Sequence, residues 1–291
     1  MYQETVTAIV LIPLIYSLFM KSVPQFNDHL IEAAIYASTT GAVGFLLGFF
    51  VKYLLVRPAI ELMDRDSYTP EELQRAVRSA SILPFAEAIV VFLRWSILAI
   101  LICVTPFYLK GYISLTQAIF GSNALFMTAM SITPFFYLAS ENSLVPFYQS
   151  CNLKGILDKD LKLFRMGLNQ KLLITILLIA ISPIGNLLGL IYLSIFSGLH
   201  LDSVQLGFFL ILIQTIVMTF LNGFLLMKSL SLSVGRMSVM FEDMAHGQGD
   251  LTKRLHVTGL SEVGKLAFWF NEFMDDIEQI VGHVRDTSLE L

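Results

Sequence analysis

Six long apolar runs constrain this chain before any motif is considered. They lie at about 6–22, 33–55, 84–107, 112–138, 172–196 and 204–227. A helix needs about 20 mostly apolar residues to cross the hydrocarbon core of a bilayer, and only a segment that satisfies its own backbone is tolerated there. Five runs reach that length. The first, whose cleanest part is Val6 to Met20 with Pro13 inside it, is read as a span as well. Composition agrees: the 291 residues are 55% hydrophobic and 14% charged, against about 25% charged in a soluble domain. The expected fold is an all-α membrane protein with six transmembrane helices in residues 1–227.

Lys and Arg set the expected orientation. Alternate loops hold Lys52, Arg57, Arg65, Arg75 and Arg78, then Lys154, Lys159, Lys162, Arg165 and Lys171, while the opposite loops hold only Lys21 and Lys110. The positive-inside rule places the rich loops and both termini in the cytoplasm. The outer links, about Val23 to Glu32, Leu109 to Gly111 and Ser197 to Ser203, are too short for an external sensory domain. In the first inner loop, Thr69-Pro70-Glu71-Glu72 is a helix start, with Thr69 as N-cap and carboxylates in the first turn.

Downstream of the last run the pattern changes. Val234, Met237, Phe241 and Met244 recur at three and four, and so do Val263, Leu266, Phe270, Phe273, Ile277, Ile280 and Val284. This spacing leaves one narrow apolar stripe per helix, the seam of a coiled coil. Between the series, Gly247, Gly249 and Asp250 stop the first helix, and Leu251, Leu255 and Val257 are the apolar points of a connector. Two short seams do not bury themselves alone, so a partner chain is implied.

This stretch resembles the HAMP domain, the relay module of bacterial transmembrane receptors, over roughly Met227 to Val281. The matching blocks are Gly249-Asp250-Leu251-Thr252-Lys253-Arg254-Leu255, Ser261-Glu262-Val263-Gly264-Lys265-Leu266 and Phe270-Asn271-Glu272-Phe273. Ser261 stands where the family usually has Asp, and Ser233 where it tends to have Pro. The blocks look most like those of methyl-accepting chemotaxis proteins. The resemblance implies a relay over 228–281 forming a parallel coiled coil in a homodimer, with Val234, Met237, Phe241, Met244, Leu251, Leu255, Val263, Leu266, Phe270, Phe273 and Ile277 as its transmitting core. It also implies the bacterial cytoplasmic membrane, and a chemotaxis kinase and adaptor as partners reached through an output region absent from this chain. Residues 282–291 are expected to begin that output helix, whose repeat breaks off at Leu291 without a cap.

Catalytic chemistry is not expected. His29, His200, His246, His256 and His283 are scattered without metal-ligand spacing, and no phosphate loop, dinucleotide fingerprint or nucleophile elbow occurs. No catalytic residue, metal or cofactor is assigned. Net charge of −4 leaves no nucleic-acid surface. Cys103 and Cys151 are isolated.

The costly residue is Arg94, central in the third run, where a charge costs about 2.5–3.5 kcal/mol on the insertion scale. Glu87 lies two turns away on the same face, about 10 Å along the axis. Arg94, Trp95, Glu87 and the embedded amides Asn186 and Gln214 are the candidate ligand-binding residues. A polar cluster that fixes helix packing explains them equally well, and a snorkelling Arg94 is a third reading. Three functions fit the whole: a chemotaxis-type receptor sensing a stimulus in or at the membrane, the membrane anchor of a HAMP-containing cyclase or histidine kinase, or a transporter. The pattern Arg78, Leu83-Pro84, Trp95 loosely resembles the cyclase anchors, and a central Arg in six spans suits a transporter.

Overall fold

Apolar runs of this length fold into helices, and the computed structural model describes residues 26–65, 67–151, 166–197, 201–246, 251–252, 254–255 and 262–289. The first apolar run, 6–22, lies outside them. After a 3-10 turn at Phe26–His29 come α1 (Leu30–Met63), α2 (Pro70–Leu109), α3 (Leu115–Ser143), the short α4 (Val145–Ser150), α5 (Leu168–Ser197), α6 (Leu201–His246) and α7 (Glu262–Leu289). No strand occurs among the described residues. Five helices are long and apolar enough to cross a membrane: α1, α2, α3 together with α4, α5, and α6 over Phe208–Lys228.

Several helices outrun the apolar runs that predict them. α1 continues past residue 55 through Arg57 and Glu61, which pair at 2.6 Å across one turn. α2 starts fourteen residues before the run, at the pattern predicted for it: Thr69 N–H donates to Glu72 Oε2 at 2.9 Å, and Glu72 N–H donates to Thr69 Oγ1 at 3.3 Å. This reciprocal capping box satisfies two of the N–H groups that a helix start leaves open. α6 runs without interruption from Leu201 to His246, 46 residues and roughly 70 Å of helix. It ends where Gly247 and Gly249 predict a stop.

The chain divides into two compact units. The first gathers the described residues of Met1–Leu54, Leu83–Ser140 and Leu172–Leu225. Its centre is α3, whose apolar window is 61% buried against 17–28% in the other four. α3 meets α2 through edge-to-face pairs, Phe92 with Phe126 and Phe85 with Tyr137. It meets α5 where Asn123 Nδ2 donates to the Gly185 carbonyl at 3.0 Å and Ser182 Oγ donates to the Met127 carbonyl at 2.8 Å. Close approach at Gly185 and Gly189 is what lets these bonds form; a Cβ at either would collide with Met127 or Asn123. Small residues and interhelical hydrogen bonds are the usual means of joining helices in lipid, where burial against lipid tails gives no preference. Many remaining large apolar side chains, such as Phe49, Phe50, Leu188 and Phe220, point outward, as a lipid-facing surface requires.

α2 departs from α-helical geometry at Arg94–Leu98 and again at Ile100–Val104, two π turns in succession. Pro106 gives a physical reason for the second: it has no N–H to offer Ile102 and its ring crowds that carbonyl. The wider turn places Thr105 N–H and Thr105 Oγ1 on the Ile100 carbonyl instead. At the end of α2, Lys110 binds Glu32 at 2.8 Å and lies over Tyr36 and Tyr112. The Glu32 carboxylate, then Tyr36, raises its pKa above the ordinary lysine value.

The second unit gathers the described residues of Leu55–Ile82, Glu141–Lys171 and Leu226–Leu291. In it the last turns of α1 and the first turns of α2 pack through Ala59, Leu62, Leu73, Ala76 and Val77, and Ser79 Oγ donates to the Leu55 carbonyl at 2.9 Å.

Candidate signal-relay site

The relay segment is built from the end of α6, the connector and α7. Leu251 and Leu255 of the connector pack on Ala267, Phe270 and Met274 of α7, and Phe241 of α6 meets Phe270 edge-on at 5.0 Å between ring centroids. Among the described residues of the connector none is in a strand, and side chains of α7 bond to its backbone. Asn271 both accepts from Leu255 N–H at 2.8 Å and donates to the Leu255 carbonyl at 2.9 Å. Arg254 reaches Asp275 Oδ1 through Nε at 2.9 Å and Nη2 at 2.6 Å, Glu278 Oε2 at 2.7 Å, and the Leu251 carbonyl at 2.5 Å. Desolvation opposes its charge, yet the hydrogen bonds with Glu278 and Asp275 outweigh that and raise its pKa.

The apolar series expected as one seam divides in two. Leu255 and Phe270 are buried in the chain's own core, joined by Ala267 and Met274, which the sequence reading missed. Their positions, three before and four after Phe270, are the signal that marks them. Leu266, Phe273, Ile280 and Val284 are 56–61% exposed and form a second stripe at spacings of seven, seven and four. Val234 and Phe241 are also more than half exposed. Leu251 and Ile277 are half-buried. Met237, Met244 and Val263 lie on helices but outside the described side chains, and Gly249, Asp250, Lys253 and Ser261 outside the described residues.

These features decide the segment's family, because the HAMP domain family matches residues 225–279. The chain carries a HAMP domain. Methyl-accepting chemotaxis protein TlpQ of Pseudomonas aeruginosa is 50% identical to it over 46 residues, 16% of this chain and 6% of that protein. Methyl-accepting chemotaxis protein PctB of the same organism is 38% identical over 80 residues, 28% of this chain and 13% of the relative. Methyl-accepting chemotaxis protein McpG of Pseudomonas putida is 41% identical over 64 residues, 22% and 10% respectively. The chain thus spans only a small part of the curated relatives it matches. No solved structure matches it. In the HAMP domain the Arg254 and Asn271 contacts fix the connector to α7.

Of the residues singled out in the membrane helices, Glu87 and Arg94 both turn toward α1, as their two-turn spacing predicts. Glu87, 2% exposed, pairs with Lys52 at 2.8 Å. The Arg94 stem lies so close to Gly44 that a Cβ there would overlap it, and the guanidinium carbon is 5.7 Å from the Trp95 ring. Trp95 is buried, and its indole N–H has no acceptor among the described residues. Gln214 and Asn186 belong to a different contact set. Gln214 donates to Thr128 Oγ1 of α3 at 3.3 Å, and Asn186 is buried on the α5 face that carries Ser182, Gly185 and Gly189. Asn222, fully buried, donates to the Ser131 carbonyl of α3 at 3.3 Å and to its own Met218 carbonyl at 2.8 Å. No group of His, Cys, Asp and Glu with metal-binding geometry occurs among the described residues.

Proposed function

We propose that this chain is the membrane and relay portion of a chemotaxis-type signalling receptor. The observation that carries the reading is α6: one helix leaves an apolar span and continues without a break into the HAMP domain. Such a continuous element passes on any displacement that a stimulus favours in the membrane helices. The relay works as a homodimer, with Leu266, Phe273, Ile280 and Val284 as the face that meets a second copy in a parallel coiled coil. Residues 1–227 form the sensory module and 228–281 the relay, both termini are cytoplasmic, and the membrane is the bacterial inner one. The basic inner loops support that orientation.

The stimulus acts within the bilayer or at its surface. Arg94, Trp95, Glu87, Asn186 and Gln214 are the proposed responders; the two π turns and the buried indole at Trp95 support the α2 group, since π turns often accompany function. The relatives' names favour chemotaxis over a cyclase, kinase or transporter. The reading assigns no catalytic step to these residues, and output passes to a chemotaxis kinase and its adaptor through a receptor's signalling region. To test it, residues 1–291 are fused to the signalling region of a chemotaxis receptor and kinase output is followed in membranes while amphipathic compounds and lipid composition are varied. A stimulus-dependent output that disappears with α6 severed from the relay supports the proposal. Constant output, or substrate uptake into vesicles that survives deletion of 234–291, overturns it.

A further inference from the structure

α5 starts with a cap that its own sequence does not complete. Gly167 precedes the helix and has no side chain to accept from the open N–H groups of the first turn. Its own N–H donates to Gln170 Oε1 at 3.2 Å, and its carbonyl accepts from Lys171 N–H at 2.9 Å. The Leu168 N–H is satisfied from elsewhere: it donates at 2.8 Å to Oε2 of Glu262, the first residue of α7. Gly167 is what admits that carboxylate, because a Cβ there would stand 2.5 Å from Glu262 Oε1. A negative charge at this end of a helix is also favoured by the helix dipole. One turn further on, Lys171, 5% exposed, forms an ion pair with Glu141 near the end of α3. The first turn of α5 is therefore held on one side by α3 and on the other by the start of the second relay helix.

We propose that Glu262 is a positioning residue of the relay that ties the first turn of α5 to α7, giving the HAMP domain a second input beside α6. The inference rests on the relay reading above. Displacement of the α5 entry then shifts α7 directly, while α6 acts on the other helix of the same domain. The hydrogen bond, the side-chain-free approach at Gly167 and the Lys171–Glu141 pair all bear on one turn, so two substitutions at its two sides should have one effect.

The test uses the full chain in lipid nanodiscs, spin-labelled at Asn169→Cys and Lys265→Cys in a background with Cys103 and Cys151 replaced. The unsubstituted chain should give one narrow distance distribution. Glu262→Ala and Gly167→Ala should each broaden it, and Glu262→Gln, which keeps an acceptor but loses the charge, should broaden it less. Unchanged distributions in both alanine variants would overturn the contact. In a second arm, Phe273→Cys is cross-linked in membranes with and without these substitutions. A change in rate of about fivefold, the lower end of ordinary coupling between sites, is expected. Cross-links that form at an unchanged rate sink this inference and leave the dimeric relay standing. If Phe273→Cys does not cross-link at all, the relay reading itself fails and takes the inference with it.

Discussion

Asn271 grips Leu255 by both polar groups of its backbone, donating to the carbonyl at 2.9 Å and accepting from the N–H at 2.8 Å. One side chain thus does for the connector what a neighbouring strand does in a sheet, and it seats the Leu255 side chain among Ala267, Phe270 and Met274. Asn271→Ala removes both bonds and leaves a buried N–H and carbonyl to find other partners, a loss of about 1–3 kcal/mol. Asn271→Asp retains the acceptor and should lose less. Amide exchange at Leu255 checks this: protection should fall in the alanine variant, and unaltered protection would show that the clasp contributes nothing.

The Lys52–Glu87 pair offers a second test, since Glu87 is 2% exposed while Lys52 is 31% exposed. Removing one partner of a buried pair typically costs about 3–5 kcal/mol, and the solvent access of Lys52 should reduce that to about 1–3 kcal/mol. Glu87→Ala is expected to lower the thermal midpoint of the detergent-solubilised chain. The double variant Lys52→Met with Glu87→Met should recover most of the loss, because two packed apolar side chains avoid desolvation. Equal losses in the single and double variants would refute the pairing.

At Gly44 the expectation concerns space. A Cβ there meets the Arg94 stem; Gly44→Ala moves a flexible side chain, whereas Gly44→Val overpacks the α1–α2 contact at a cost of about 1–3 kcal/mol. Combining Gly44→Val with Arg94→Ala should relieve it. A double-mutant cycle on thermal stability measures the coupling, and additive losses would mean that the two residues do not compete for the same volume.

Cysteine cross-linking separates the two stripes of α7. Leu266→Cys, Phe273→Cys and Ile280→Cys should link chains readily in membranes, because these positions are exposed on the single chain and share one face. Ala267→Cys and Met274→Cys, buried beneath the connector, should link at least about tenfold more slowly, in keeping with a seam that buries one face only. Similar rates at all five positions would dismiss the seam.

The apolar runs made the membrane helices legible because length and hydropathy alone decide them, as at 172–196 inside Leu168–Ser197. Thr69 was legible for the same kind of reason: a capping box is a local chemical pattern. Ser114 and Gln117 form another, with Ser114 N–H donating to Gln117 Oε1 at 2.8 Å, and its Ser-x-x-Gln signal was present but unread. The partners of Glu87 and Arg94 were not legible. Lys52 and Gly44 lie far away in the chain, and only the antiparallel packing of α1 on α2 brings them close. The π turns have Pro106 as their single local sign. In the relay, spacing identified the apolar positions of α7 but not their division between the connector and the exposed face, which depends on where Leu251 and Leu255 settle.

α6 has no proline between Leu201 and His246 and no break in its helical run. A rod without a joint does not discriminate: it carries thermal jostling as faithfully as a message. Whatever sorts one from the other must then lie in how firmly the rod is gripped within the first unit. There apolar packing at Ile211 and Met218 is joined by two polar contacts, Gln214 on Thr128 and Asn222 on Ser131. In the proposed relay, loosening those grips should raise the output that arises without any stimulus.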